Sequence, residues 1–383
     1  MKLTIKNGNV VLPSGVHKTN IEIENGKIIG LTDSNMDSKS EIFDASSFYV
    51  MPGFIDLQTN GVAGFDVMDG TEEAISKMVE VLPSQGVTGF LPTTVTGERT
   101  EIGCSLRAIA KVKNKNLPGS EILGVHVEGP YISYAKSGAH EQNWIRPFNK
   151  NEFDRWNELS GNLIKLLSLA PDVNDNLDFV YDLKEQNITV SIGHSNASYN
   201  DAKKAFDRGV NYSTHLFNGM SGVHHREPGV AGAVLSDDRV FASFIPDLQH
   251  VHPALLNMIY KIKGREKSVI VSDQVFLTGL PPGEYMWGNQ TVISNGTFPT
   301  VKTTGSLAGS LLQMNIAIKN MVEEANIPLH DAVYMAATSP AIVLGIENET
   351  GSIEKNKRAN LTILNKDYEV IGTIKDGMWI YKK

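Results

Sequence analysis

Ile122-Leu123-Gly124-Val125-His126-Val127-Glu128 is followed at once by Gly129-Pro130. Apolar residues dominate this run, as in a strand covered by helices on both faces, and it ends in a carboxylate. One acid after an apolar run is an ordinary strand terminator. Apolar runs of this kind recur, however, at residues 53–58, 88–94, 163–170, 188–194, 212–215, 240–247 and 268–273, giving eight in all. Amphipathic helix patterns, such as residues 72–82 and 200–208, separate them. Eight βα units predict an α/β protein built on a parallel sheet, most simply a (β/α)8 TIM barrel. An open doubly wound sheet is the alternative. No Gly-x-Gly-x-x-Gly or phosphate loop follows the first strand, so nucleotide binding has no support.

The two ends of the chain read differently. Ile21-Glu22-Ile23-Glu24 meets Asn25-Gly26 and resumes at Lys27-Ile28-Ile29, a strong hairpin signal. Short strands return at residues 361–364, 369–371 and 378–381. Residues 1–50 and 346–383 are therefore expected to form one small β-sandwich domain, and residues 51–345 the barrel. The chain has 383 residues, a net charge of −8, 41 % hydrophobic and 20 % charged residues. That is ordinary globular composition, without the basic excess of a nucleic-acid-binding surface. No apolar run is long enough to span a bilayer, and the N-terminus lacks an apolar signal core. The lone Cys104 allows no internal disulfide and sits in a helix pattern, where it reads as a buried small hydrophobe. A reduced, cytoplasmic location is expected.

Several runs end in metal-capable or acid–base side chains: Glu128, His194, His215, Asp247 and Asp273. Barrel active sites are built at the carboxyl ends of the strands. Each histidine alone could be a hydrogen-bonded core residue. Together, Glu128, His194 and His215 have the makeup of a catalytic metal site with one position left open. Small neighbours, Gly193, Ser195 and Gly129, keep bulk away from it. Asp273 is suited to take a proton from water and pass it to a leaving amine. Arg226 and the nearby histidines match the chemistry of a phosphate ester, although a solvated loop explains them equally well. His126 shares a strand face with Glu128 and has no assigned role.

These residues carry a resemblance. Pro52-Gly53-Phe54-Ile55-Asp56, Gly124 to Pro130, Gly138-Ala139-His140 and Gly193-His194-Ser195 resemble the N-acetylglucosamine-6-phosphate deacetylase family of the amidohydrolase superfamily. Thr214-His215-Leu216-Phe217-Asn218, His225-Arg226-Glu227-Pro228-Gly229 and Leu307-Ala308-Gly309-Ser310 extend it over nearly the whole chain. The resemblance implies a metal-dependent barrel that hydrolyses the acetamide of an amino-sugar 6-phosphate, in amino-sugar catabolism and cell-wall sugar recycling. It implies one divalent ion on Glu128, His194 and His215, with zinc expected and iron, manganese or cobalt compatible. Asp273 becomes general base and then acid, and His140 polarises the carbonyl. Asn218, the Gly219 backbone, Arg226 and His250 bind the sugar phosphate, and Ala139, Leu307, Ala308 and Gly309 line the pocket. Arg226 can reach the neighbouring subunit's site, which implies a homodimer. A β-hairpin flap fits residues 291–296.

The chain also departs from the pattern. Gln58-Thr59-Asn60 replaces the His-x-His common in the superfamily, so Gln58 and Asn60 are expected to touch metal or sugar through water. No lysine ends the fourth run, which argues for a single metal. Leu248 follows Asp247, and Gln274-Val275-Phe276-Leu277 follows Asp273, where small residues are usual. Both changes leave room for a related substrate, N-acetylgalactosamine-6-phosphate first. A non-catalytic scaffold on the same fold is the reading from another class, and the retained ligands speak against it.

Overall fold

The computed structural model describes residues 2–32, 40–174 and 176–383. Eight parallel strands stand in the middle of the chain. They are β1 (Phe54–Thr59), β2 (Val87–Thr94), β3 (Val125–Glu128), β4 (Ile164–Leu169), β5 (Thr189–Ile192), β6 (Tyr212–Ser213), β7 (Phe241–Phe244) and β8 (Ser268–Ile270). Each pairs in parallel with the next in sequence. The chain beyond β8 closes the ring onto β1. Asp273 N donates to Gln58 O at 2.9 Å, and Asn60 N to Gln274 O at 2.9 Å. Asp56, fully buried on β1, accepts Ser272 N at 3.1 Å and the Ser272 hydroxyl across the same seam. This is the TIM barrel expected from the eight runs.

The strands are shorter than the apolar runs, and the difference lies at their carboxyl ends. His194 and Asp247 lie a few residues past β5 and β7, and His215 and Asp273 past β6 and β8. Their side chains leave the strand direction because the backbone turns. His194, His215 and Asp273 have φ of 47°, 31° and 51°, in the left-handed region. Such conformations cost non-glycine residues about 1 kcal/mol or more each and persist where the surroundings enforce them.

Both chain ends contribute to a separate eight-stranded sheet. Its order is Met378–Lys382, Val370–Lys375, Leu361–Leu364, Tyr49–Pro52, Lys2–Leu12, Gly15–Glu24 and Lys27–Thr32, with Glu41–Asp44 also beside Lys2–Leu12. Ile5, Val10, Ile21, Val50, Leu361 and Ile374 form its own core. Asn25 and Gly26 both have positive φ, 50° and 80°, and Glu24 pairs with Lys27. That is the two-residue turn whose twist matches a hairpin.

A third sheet, Gly283–Trp287, Gln290–Ser294 and Pro299–Val301, is inserted after β8. It contains residues 291–296, and Asn295-Gly296 lies in the turn between its second and third strands. The turn that reaches the cavity is instead the Trp287–Gln290 end. Cys104 contradicts its expected burial. It lies on helix Arg99–Lys115, but that helix buries Ile102, Leu106, Ile109 and Val112, and Cys104 falls on the outer face. Its sulfur accepts from Arg107 at 3.2 Å. Among the described residues, no helix is long and apolar enough to cross a membrane.

Candidate active site and metal centre

Glu128, His194 and His215 converge at the carboxyl end of the barrel. All three are buried, and each offers a ligand atom within 4.8 Å of the others. The backbone fixes the tautomer of both rings. His194 Nδ1 stands 2.7 Å from Lys136 O, and His215 Nδ1 stands 3.1 Å from Asn218 O. A carbonyl oxygen only accepts, so both Nδ1 atoms carry the proton and both Nε2 atoms present lone pairs. These lone pairs meet 3.1 Å apart, and Glu128 Oε1 lies 3.0 Å from His215 Nε2 and 3.4 Å from His194 Nε2. Three electron-rich atoms at this spacing repel one another unless a cation lies among them. The donor set of two imidazoles and one carboxylate fits a divalent ion.

The surrounding carboxyls are pushed apart. Burial raises Glu128. With no ion among the three, protons on the two rings take its place, and their hydrogen bonds and charge then outweigh burial and hold Glu128 well below the usual carboxylate range. Asp273 goes the other way. Burial chiefly, with the Glu128 charge added, pushes it up to about 8 against the pull of His215 and Asn60. Carboxyls set apart in this way divide roles, one as a fixed anion and one as a proton carrier. Gln58 Nε2 lies between them, 3.0 Å from each Glu128 oxygen and 3.0 Å from Asp273 Oδ1. Asn60 Nδ2 donates to the same Asp273 oxygen at 2.7 Å. Gln58 is buried beneath the cavity rather than in its wall, whereas Asn60 lines it.

A cavity of about 660 Å³ opens over these groups. Its wall includes Ala139, His140, Asn218, Gly219, His250, Leu307 and Gly309. His140 packs edge-on against His194, with ring centroids 4.4 Å apart. Its Nδ1 accepts Thr96 N–H at 3.1 Å, so its proton sits on Nε2. Burial and neighbouring His194 push it down to about 3, which keeps the ring neutral. Thr96 carries no sequence signal for this task, because its backbone amide does the work.

Two expected contacts fall outside the wall. The Ala308 side chain is buried with Val275, Phe276, Leu277 and Val292, because Ala308 N bonds to Pro299 O and turns the residue into the inserted sheet. Arg226 is exposed and does not line the cavity of its own chain. His126 lies below the site, fully buried, with Nε2 2.7 Å from Ser168 Oγ. Burial pushes it down to about 4. Gln274 pairs reciprocally with Gln85 inside the barrel, at 3.1 and 3.0 Å, and Val275 to Leu277 pack under the inserted sheet. The unusual residues after Asp273 therefore do not face the cavity. Neither does Leu248.

Glycine at 219 is required by a close approach. A Cβ there would lie 2.8 Å from His194 Nδ1, at a φ of 57°. Gly219→Ala is expected to displace the His194 ring and weaken metal binding by about 10- to 100-fold. Metal content after dialysis checks this, and unchanged affinity would mean that the ring has slack.

The comparisons with known proteins agree with this geometry. Residues 49–380 match the model of the amidohydrolase family. The chain belongs to the amidohydrolase family. It is 34 % identical over 359 residues to N-acetylglucosamine-6-phosphate deacetylase of Vibrio furnissii, covering 94 % of this chain and 89 % of that protein. It is 35 % identical over 320 residues to N-acetylgalactosamine-6-phosphate deacetylase of Escherichia coli O157:H7, covering 83 % and 84 %. Among solved structures, the N-acetylglucosamine-6-phosphate deacetylase from Pasteurella multocida superposes with a TM-score of 0.93 at 30 % identity, covering 99 % of both chains.

Proposed function

We propose that this amidohydrolase removes the acetyl group from N-acetylglucosamine-6-phosphate, giving glucosamine-6-phosphate and acetate. The observation that carries the reading is the meeting of Glu128, His194 and His215 with Asp273 and His140 at one end of one cavity. Glu128, His194 and His215 are the metal ligands, and zinc is the proposed ion. When bound, the ion supplies Lewis acidity that lowers the pKa of water and polarises a carbonyl. His140 donates its Nε2–H to the acetamide oxygen, the orientation that Thr96 enforces. Asp273 accepts a proton from the attacking water and returns it to the amine as the C–N bond breaks. Gln58 and Asn60 hold Asp273 in place through its Oδ1.

Asn218, Gly219 and His250 take the sugar phosphate, and Ala139, Leu307 and Gly309 wall the sugar. Among the described residues, the cavity wall holds no lysine or arginine. A dianionic phosphate therefore lacks a fixed cation within one chain. Exposed Arg226, supplied by the partner in a homodimer, fills that need. Mixing Arg226→Ala with Asp273→Asn protein tests the arrangement. Activity above that of either parent is expected in mixed dimers, and none would place Arg226 in its own subunit's site. We also assign residues 1–50 and 346–383 to a small β-sandwich domain and 51–345 to the catalytic domain.

Acetate release from three sugars tests the substrate. N-acetylglucosamine-6-phosphate is expected to be preferred over its galacto epimer, and over unphosphorylated N-acetylglucosamine by more. The similarity to the E. coli galactosamine enzyme makes preference for the galacto epimer the competing outcome.

A further inference from the structure

Two cavity histidines stand outside the proposed metal-ligand set, and they are wired in opposite senses. His140 accepts a backbone N–H at Nδ1 and is neutral. His250 Nδ1 instead stands 2.7 Å from Asp247 Oδ2. Burial pushes the Asp247 carboxyl up, but the hydrogen bond and charge of His250 and two backbone N–H bonds outweigh it and lower the group. Asp247 is thus ionised and accepts, so His250 Nδ1 carries a proton. The other Asp247 oxygen accepts Gln249 N at 3.0 Å and His250 N at 2.8 Å. Both side chains are only 5 % exposed.

The turn that makes this clamp is held against strain. Leu248, between the two partners, has a φ of 65°. A leucine there costs about 1 kcal/mol or more relative to an unstrained position, and such strain collects where function needs it. His250 lines the cavity, and with Nδ1 committed its Nε2 is the ring nitrogen left for a ligand; no described residue hydrogen-bonds that atom. The rest of the wall has acidic groups, Asp66, Asp69, Glu101 and Glu141 among them, and no lysine or arginine.

We propose that Asp247 is a specificity-determining positioning residue. By holding Nδ1–H it makes His250 a double donor when a phosphate oxygen approaches Nε2, in a phosphate–imidazolium–carboxylate series of alternating charge. Preference for phosphorylated over unphosphorylated sugar is then set in part by Asp247, which does not itself touch the substrate. This rests on reading the protein as an amino-sugar-phosphate hydrolase.

The test uses metal-loaded wild type, Asp247→Asn, His250→Gln and the double variant, each on phosphorylated and unphosphorylated N-acetylglucosamine. Asparagine keeps an oxygen for the two backbone N–H groups, so the turn survives. Asp247→Asn is expected to raise KM for the phosphorylated sugar about 30-fold, with kcat nearly unchanged, as for loss of a charge-assisted hydrogen bond. Turnover of the unphosphorylated sugar stays the same. On the His250→Gln background, Asp247→Asn adds nothing, because its effect passes through the ring. Equal losses on both sugars, or additive losses in the double variant, would reduce Asp247 to loop support and overturn the proposal. A 15N signal of His250 Nδ1–H that responds to inorganic phosphate in wild type, and is lost in Asp247→Asn, supports the pair independently of turnover. Wild type with that signal but no acetate release would refute the deacetylase reading and leave the pair standing.

Discussion

Asp273→Asn lowers kcat by about 10³- to 10⁴-fold and leaves metal content unchanged. Asparagine has the size of aspartate and can keep its oxygen toward Gln58 and Asn60, which both donate to Oδ1. What it cannot do is carry a proton between water and amine, and positioned proton transfer contributes about 10²- to 10⁴-fold. The site is built for that traffic. Asp273 is 7 % exposed, and without a cation nearby, burial and Glu128 push it up to about 8. A divalent ion at the neighbouring ligands favours the carboxylate and readies the group as a base. Steady-state turnover on N-acetylglucosamine-6-phosphate, with metal content measured on the same samples, checks this. A variant with near-normal kcat would remove Asp273 from the mechanism. A variant that lost its metal would make Asp273 a ligand instead.

Stripping the metal has the second large effect. Chelation abolishes turnover and lowers the melting temperature, and one equivalent of divalent ion restores both. The Nε2 atoms of His194 and His215 and the Glu128 carboxylate face one another at 3.0–3.4 Å, with both Nδ1 protons tied to backbone carbonyls. Removing the ion leaves that repulsion uncompensated. It also removes the linkage stabilisation, about 4 kcal/mol when free metal is 1,000 times its dissociation constant. Differential scanning calorimetry with and without chelator measures the shift. Glu128→Gln removes both contributions together, because it deletes an anionic ligand and relieves the repulsion. Its melting temperature should respond little to chelator. A wild-type melting temperature indifferent to chelator would mean that these three residues hold no ion.

The barrel was legible because burial on both faces writes a strand as a continuous apolar run, and eight such runs leave few topologies. The cluster proposed to hold the metal was legible for a related reason: Glu128, His194 and His215 interrupt apolar runs just where a strand must end. Backbone contributions were not. The Thr96 amide that sets the His140 tautomer, and the Lys136 and Asn218 carbonyls that set the other two rings, leave no mark on residue identity. Ala308 shares a motif with Leu307 and Gly309 but parts from them in space, because its N–H bonds Pro299 O and its side chain packs with Val275, Phe276 and Leu277. Cys104 was misplaced by helix phase, since one position's shift moves a side chain from core to solvent. The residues after Asp273 looked disruptive in sequence, yet Gln274 is satisfied by Gln85, at the other side of the barrel seam.

On the proposed mechanism, one divalent ion on Glu128, His194 and His215 is necessary for hydrolysis of the acetamide. The direct measurement is acetate release from N-acetylglucosamine-6-phosphate as metal is titrated into stripped protein. No acetate is expected without metal, then a linear rise and a plateau at one ion per chain. Acetate from the stripped protein, or a plateau reached only at two ions per chain, would contradict it.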